Sequence, residues 1–564
     1  MNILSIGLLP CAAVALLLSA APAHGQVPVH KHYDDSKADV PSATGALAPR
    51  LQNVGTHKFA AVSTCSTAAM PFMHQGLNLA YGFNHAEAGR AFAEAARLDP
   101  DCAMAFWGQA LVLGPNINAP MAPEEEPKAQ ALAKQAAALK SKASTTERDY
   151  IDALAVRYTG NPDDRRAADQ AFAGAMRALH QKYPQDQDAA TIYAESLMDL
   201  RPWDYWTRDG QPYAETPEII AALDGVIKAN AVHPGALHYW IHLWEGSRTP
   251  EMAEGAADRL LPLAPAAGHL VHMPGHLFQR VGRYSDAQKA NQLAIVADED
   301  YITQCKAQGI YPLAYYPHNV HFLWFASTMN GDSKLAIDSA RKTAQSVPDA
   351  AVKEVPILQS FKLVPDYALV RFGKWDEILA LPAAYDSLFA KGVRHYSRGM
   401  AYTRKADYRA AKAELASLQK IAVDPALIAT PSSMSLNIAD SVLRIAVEVL
   451  SGELDAAQKN YDSAIAHLDR AVRYHDALIY TEPDDWHYPV RHSLGAVLLE
   501  AGRPVEAETV YWEDLRRNPK NGWALFGLAQ ALRAQGKQDA AKAVDADFAR
   551  AWATSDVKLT ASRF

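Results

Sequence analysis

Of the 20 histidines in this 564-residue chain, eight fall between His233 and His321, where an even spread would place about three. Their spacing carries the chemistry. His238 and His242 stand four apart, His269, His272 and His276 three and four apart, and His318 and His321 three apart. On a helix, side chains at these offsets share one face within an arc of about 60°. Neutral imidazole is the commonest transition-metal ligand, and an i,i+3 or i,i+4 pair grips an ion from one side. Seven imidazoles exceed the three or four that one tetrahedral ion takes, which fits a dinuclear site or one site with supporting groups. Nitrogen donors favour copper or zinc over magnesium or calcium, whose ligands are oxygens. Met273, between two of the histidines, is a soft donor for copper(I) or a packing residue. The alternatives are a pH-responsive or anion-binding groove and groove polarity without chemistry; mutual repulsion is expected to keep a metal-free groove largely neutral near pH ~7.

The elements that must position these residues read as helices. From residue 66 onward the chain is Ala- and Leu-rich with a helical apolar period, broken at short intervals by Gly, Asn and Asp-Pro. Residues 267–298 show a first helix, a Gly-x-Tyr turn, and a second helix with Ala287, Asn291 and Ala294 on one face. The same plan recurs at 486–519 with Gly495, Gly502, Ala507 and Pro519, at 522–541 with Gly536 and Ala541, and at 69–100 with Gly76, Ala88, Phe92, Ala95 and Pro100. This resembles the tetratricopeptide repeat (TPR), a helix–turn–helix unit of about 34 residues. Similar units begin near 103, 234, 317, 359, 392 and 434, and the resemblance covers most of 66–550.

The resemblance implies an all-α fold, a right-handed TPR-like α-solenoid of roughly ten helix-turn-helix units with first helices lining a concave groove. In phase, the units beginning at 234, 268 and 317 offer nine equivalent places on that face, seven of them His. In this repeat family the same face typically contacts ligands. One local conflict stands out: Pro274-Gly275 disfavours helix at Met273, and a helix starting there would leave His269 and His272 in the preceding turn.

Other candidates line the expected groove. His492 takes the same place in a C-terminal unit, and Trp240, Trp244, Trp324, Tyr315 and Tyr316 flank the histidines as a platform or as core. Glu195 and Asp199 precede the cluster as a general base or carboxylate ligands. Two aromatic-rich interruptions, 201–217 and 299–316, read as a lid or as surface loops. His30, His32 and His57 belong to the leading segment, solvated or within reach of the groove as extra ligands.

With 55 Lys+Arg against 63 Asp+Glu the net charge is −8, which argues against nucleic acid as a partner. Residues 3–21 form an apolar run followed by the small-x-small pattern Ala21-Pro22-Ala23, read as a secretory signal ending near residue 23. The run lacks a preceding Lys or Arg, so an uncleaved anchor is the alternative; no later stretch is long enough to span a membrane. The expected organisation is a signal peptide at 1–23, a flexible leading segment at 24–65, N-terminal units at 66–230, His-rich units at 231–350 and C-terminal units at 351–564. An exported location, periplasmic or secreted, favours a disulfide between Cys65 and Cys102. No HExxH, GxSxG, P-loop or GxGxxG motif occurs. The expected function is copper or zinc binding in the groove, for metal handling or as a metal-dependent oxidoreductase or hydrolase. The alternative is a scaffold that receives a peptide or protein partner.

Overall fold

The computed structural model describes residues 45–305, 311–383, 385–433 and 437–564. The expected signal peptide, and His30 and His32 behind it, lie outside them. The chain divides into two compact units. Of the described residues, the first holds those up to Leu277 together with those of Leu293–Pro312, and the second holds Phe278–Gln292 together with those of Leu313–Phe564. Among the described residues both are all-α, rows of helices in which successive helices pack on one another as a solenoid does.

A single device recurs in both rows. In the first unit, helices Met70–Ala80, His85–Leu98 and Ala103–Leu111 meet on Phe92. A Cβ added at Gly76 or Gly108 would lie 2.6 or 2.5 Å from that ring, so only glycine admits it. In the second unit, helices Arg491–Glu500, Pro504–Arg517 and Gly522–Ala534 meet on Tyr511 in the same way, with Gly495 and Gly527 a hypothetical 2.4 and 2.1 Å from its ring. In each set the aromatic stands midway in sequence between its two glycines, at the same step. The aromatic of a middle helix thus wedges between two first helices, and small residues set how closely they approach.

Helix starts follow their caps. Ser144 accepts from the N–H of Glu147 while the Glu147 carboxylate accepts from the N–H of Ser144, a reciprocal pair that opens Thr145–Ala155. The same carboxylate also accepts from the N–H groups of Ser63 and Thr64 (2.7 and 3.0 Å). Residues 45–65 form no helix, yet Ala48, Val54, Phe59 and Val62 are buried. This end of the leading segment is therefore fastened down, because apolar side chains recur along it. Cys65 and Cys102 form a disulfide that closes a span of 37 residues. Replacing both by alanine is expected to lower stability by ~3–4 kcal/mol, read as a fall in the urea midpoint.

Two expectations need correction. The segment 299–316 is not an interrupting loop at its start, because helix Tyr284–Cys305 runs through it, and Tyr311–Tyr315 forms a single π-helical turn before helix Tyr316–Asn330. Nor does Pro274 split the second histidine segment: Gly268–Arg280 is one helix with the proline inside it. A proline there forfeits one N–H to the carbonyl four residues back, and buried contacts on both sides of the break hold the helix together.

Among the described residues no helix is long and apolar enough to cross a membrane.

Candidate metal centre

Every residue of helix Pro234–Glu245 is buried. Pro234 occupies its first turn, where a missing N–H costs nothing, and His238 and His242 follow one turn apart on one face. Because Gly268–Arg280 is continuous, His269, His272 and His276 share a face as well. The first unit brings these five imidazoles together. Ring centres lie 4.7 Å apart for His238 and His242, 5.0 Å for His238 and His269, 5.9 Å for His242 and His276, and 4.5 Å for His272 and His276. None is more than 2% exposed.

That burial corrects the expectation of an open groove. Phe83, held at a left-handed φ of 54°, lies against three of the rings, with its centre 4.6 Å from His238, 5.3 Å from His269 and 5.8 Å from His242. The aromatic interruption 201–217 covers the same helix. Trp203 meets His242 edge-on at 5.2 Å, and Trp206 gives its indole N–H to the carbonyl of Leu243 (2.7 Å) and packs on Trp244 at 4.9 Å.

The hydrogen bonds decide which ring nitrogens remain. His238 donates its Nδ1–H to the carbonyl of Tyr81 at 2.6 Å. His242 and His276 donate theirs to the two oxygens of Glu245, at 2.7 and 2.8 Å. The Nε2 atoms of His272 and His276 meet at 2.6 Å, so with His276 protonated on Nδ1 the shared proton comes from His272. The Nε2 atoms of His238 and His242 are buried and have no hydrogen-bond partner among the described residues. One ring nitrogen each of His238, His242 and His269 lies within 4.8 Å of the other two.

Electrostatics favours lone pairs over protons here. Burial, then the neighbouring imidazoles, pushes His238 and His269 well below the ordinary histidine range. Burial lowers His276 too, although Glu245 opposes it. Burial alone would raise Glu245, but His242 and His276 outweigh it and hold the carboxyl below its usual range. The arrangement is a set of imidazoles around a carboxylate that fixes which nitrogen of His242 and His276 faces it.

No known protein family and no curated protein matches the chain. Among solved structures, human IFIT1 in a dimer with PPP-AAAA is 12% identical over 86% of this chain and 90% of its own, with a TM-score of 0.31. The TPR domain of P58(IPK) is 14% identical over 83% and 98%, with a TM-score of 0.21. These likenesses concern helix stacking alone.

The other sequence candidates have surroundings of their own. His318 and His321 belong to the second unit, where His318 lies 5.5 Å from Phe322 and His321 stacks on Trp324 at 5.1 Å with Phe361 edge-on at 5.6 Å. Burial pushes His321 down to about 3. His492, also in the second unit, is no groove wall: it is buried between Arg371 (2.8 Å) and Asp514 (2.9 Å). Trp240 and Trp244 are core, Trp240 giving its indole N–H to Met252 at 3.1 Å, and Tyr315 and Tyr316 are buried too. Aromatic residues at helical spacing fill the interior in each case. Glu195 lies in the interior of the first unit, where burial and then Asp199 push its carboxyl up. Sequence reasoning missed Glu245, Phe83 and Tyr81. Glu245 was within its reach, since an acid three residues after His242 shares that helix face.

Proposed function

We propose that the chain is an exported protein that binds one copper or zinc ion through His238, His242 and His269. The observation that carries this reading is the pair of buried Nε2 atoms on His238 and His242 that have no hydrogen-bond partner among the described residues, each on a ring whose other nitrogen is already committed. Leaving such an atom unsatisfied costs about 1–3 kcal/mol, and an ion satisfies both. Metal-binding histidines regularly give their second N–H to a carbonyl or carboxylate, as His238 does to Tyr81 and His242 to Glu245. His272 and His276 then form the outer pair, tied to His242 through Glu245. Three protein nitrogens leave a tetrahedral ion one position for water or another donor, which suits metal handling as well as metal-dependent oxidation or hydrolysis. Export is supported by the leading apolar run and by the Cys65–Cys102 disulfide.

The scaffold reading places a peptide against these histidines. Imidazoles at most 2% exposed offer it no contact, so a protein partner would have to use another face. The test is elemental analysis of untagged, gel-filtered protein. About one equivalent of copper or zinc is expected; protein that stays metal-free after titration with both ions would overturn the reading.

A further inference from the structure

One buried carboxylate of the first unit has no part in the reading above. Asp188, in the first turn of helix Gln187–Met198, is 2% exposed. Its Oδ1 accepts the Tyr81 hydroxyl at 2.7 Å and meets Nε2 of His57 at 2.8 Å and of His233 at 3.3 Å. The His233 tautomer is fixed by its other nitrogen, since Nδ1 accepts the N–H of Ala236 at 3.1 Å and so caps helix Pro234–Glu245. Nε2 therefore carries the proton and is a donor to Asp188. That excludes His233 as a metal ligand in this arrangement, although the three groups stand close enough to surround an ion. His57 completes the set where the cluster opens onto a cleft of about 830 Å³, lined also by Lys58, Gln185 and Asn230.

Two of the three donors lead to the histidine site. Tyr81 is held at both ends: its hydroxyl reaches Asp188, and its carbonyl receives the Nδ1–H of His238 at 2.6 Å. Its ring is pressed so closely on Gly235 that a Cβ there would lie 2.5 Å away. His233, the second donor, sets the start of the helix that carries His238 and His242. Metal affinity responds strongly to such outer contacts, typically 10- to 100-fold per partner lost.

We propose that Asp188 is a positioning residue for the metal site, acting through Tyr81 and His233 to fix the His238 ring and the first turn of its helix. The proposal rests on the metal reading. It makes the Asp188 cluster the link between an open cleft and a buried centre, and it assigns the phenol of Tyr81 a task beyond packing.

Cobalt(II) titration of the full-length protein, followed by its visible ligand-field bands, tests this in the wild type, Tyr81→Phe, Asp188→Asn and the double variant. Each single change is expected to weaken cobalt binding about tenfold and to shift the bands, which a loss of stability alone would not do. The double variant is expected to bind no more weakly than Asp188→Asn alone, because Tyr81→Phe cuts one of the two paths that the loss of Asp188 already cuts. Tyr81→Phe keeps the ring against Gly235, so it remains informative if Asp188→Asn unfolds. Unchanged affinity and bands in folded Tyr81→Phe, or additive losses in the double variant, would overturn the proposal. So would a second equivalent of cobalt that disappears in Asp188→Asn, which would make the cluster itself a metal site. Wild-type protein that takes up no cobalt would overturn the metal reading first, and this proposal with it.

Discussion

A chain carrying His238→Ala and His242→Ala is expected to keep its helical circular dichroism and to hold no copper or zinc after gel filtration. Both rings present a buried Nε2 without a partner among the described residues, and an ion held by three nitrogens does not survive the loss of two. Glu245→Gln is expected to give a graded result, weakening binding 10- to 100-fold, because the amide can accept from only one of His242 and His276. His467→Ala serves as the control: this imidazole of the second unit is half-buried and pairs with Glu448 at 2.6 Å, and its loss should leave the metal content unchanged. Stoichiometric metal in the double variant would sink the ligand assignment while leaving metal binding itself standing.

The second large effect is on stability. Arg157 is 3% exposed and holds Asp169 at 2.9 Å and Asp199 at 2.8 Å, with its guanidinium 4.5 Å from the Phe172 ring centre. Arg157→Met keeps the apolar stem and removes the charge, stranding the Asp199 carboxylate in the interior while Asp169 keeps Arg165 at 2.9 Å. A loss of about 3–5 kcal/mol is expected, measured by urea unfolding. The pH dependence has a definite sign. Burial, then Asp199, raises Glu195; burial raises Asp199 although Arg157 opposes it. Acids raised in the folded state bind more protons folded than unfolded. Their contribution is full below the ordinary carboxylate range near pH 4 and is lost as pH rises through the raised values. Removing Arg157 pushes both higher still, so its cost should be larger at pH 8 than at pH 5. A variant with the same stability deficit at both would contradict this account.

Much of this was legible in the sequence, and the failures have physical causes. Helix hairpins are readable because Gly76, Phe92 and Gly495 sit where helices touch, and a repeated step exposes such places without any structure. The histidine face is readable because offsets of three and four stack side chains on a helix. What register cannot tell is what surrounds each ring. His321 holds the same register as His238 and His272, yet it stacks on Trp324 with Phe361 edge-on. Groove exposure was misjudged for a similar reason. One covering group, Phe83, comes from a turn far from the histidines in sequence, whereas Trp203 belongs to the 201–217 segment that the sequence offered as a lid. The contact of His238 with Tyr81 spans 157 residues and uses a backbone carbonyl, which carries no side-chain signature.

The wedge of Phe92 and Tyr511 bears on how the rows assemble. Each aromatic is sandwiched by two glycine-bearing helices, one before it and one after, so half of its burial is supplied by the following hairpin. A hairpin therefore does not end where its second helix ends. Cooperativity passes from one to the next through the ring, and a chain cut after His85–Leu98 or after Pro504–Arg517 would leave an aromatic half-covered. In a nearest-neighbour picture of repeat folding, these rings add to the coupling between hairpins as well as to the hairpins themselves. Tolerated truncation points are then expected one helix later than the repeat boundaries suggest, after Ala103–Leu111 or Gly522–Ala534.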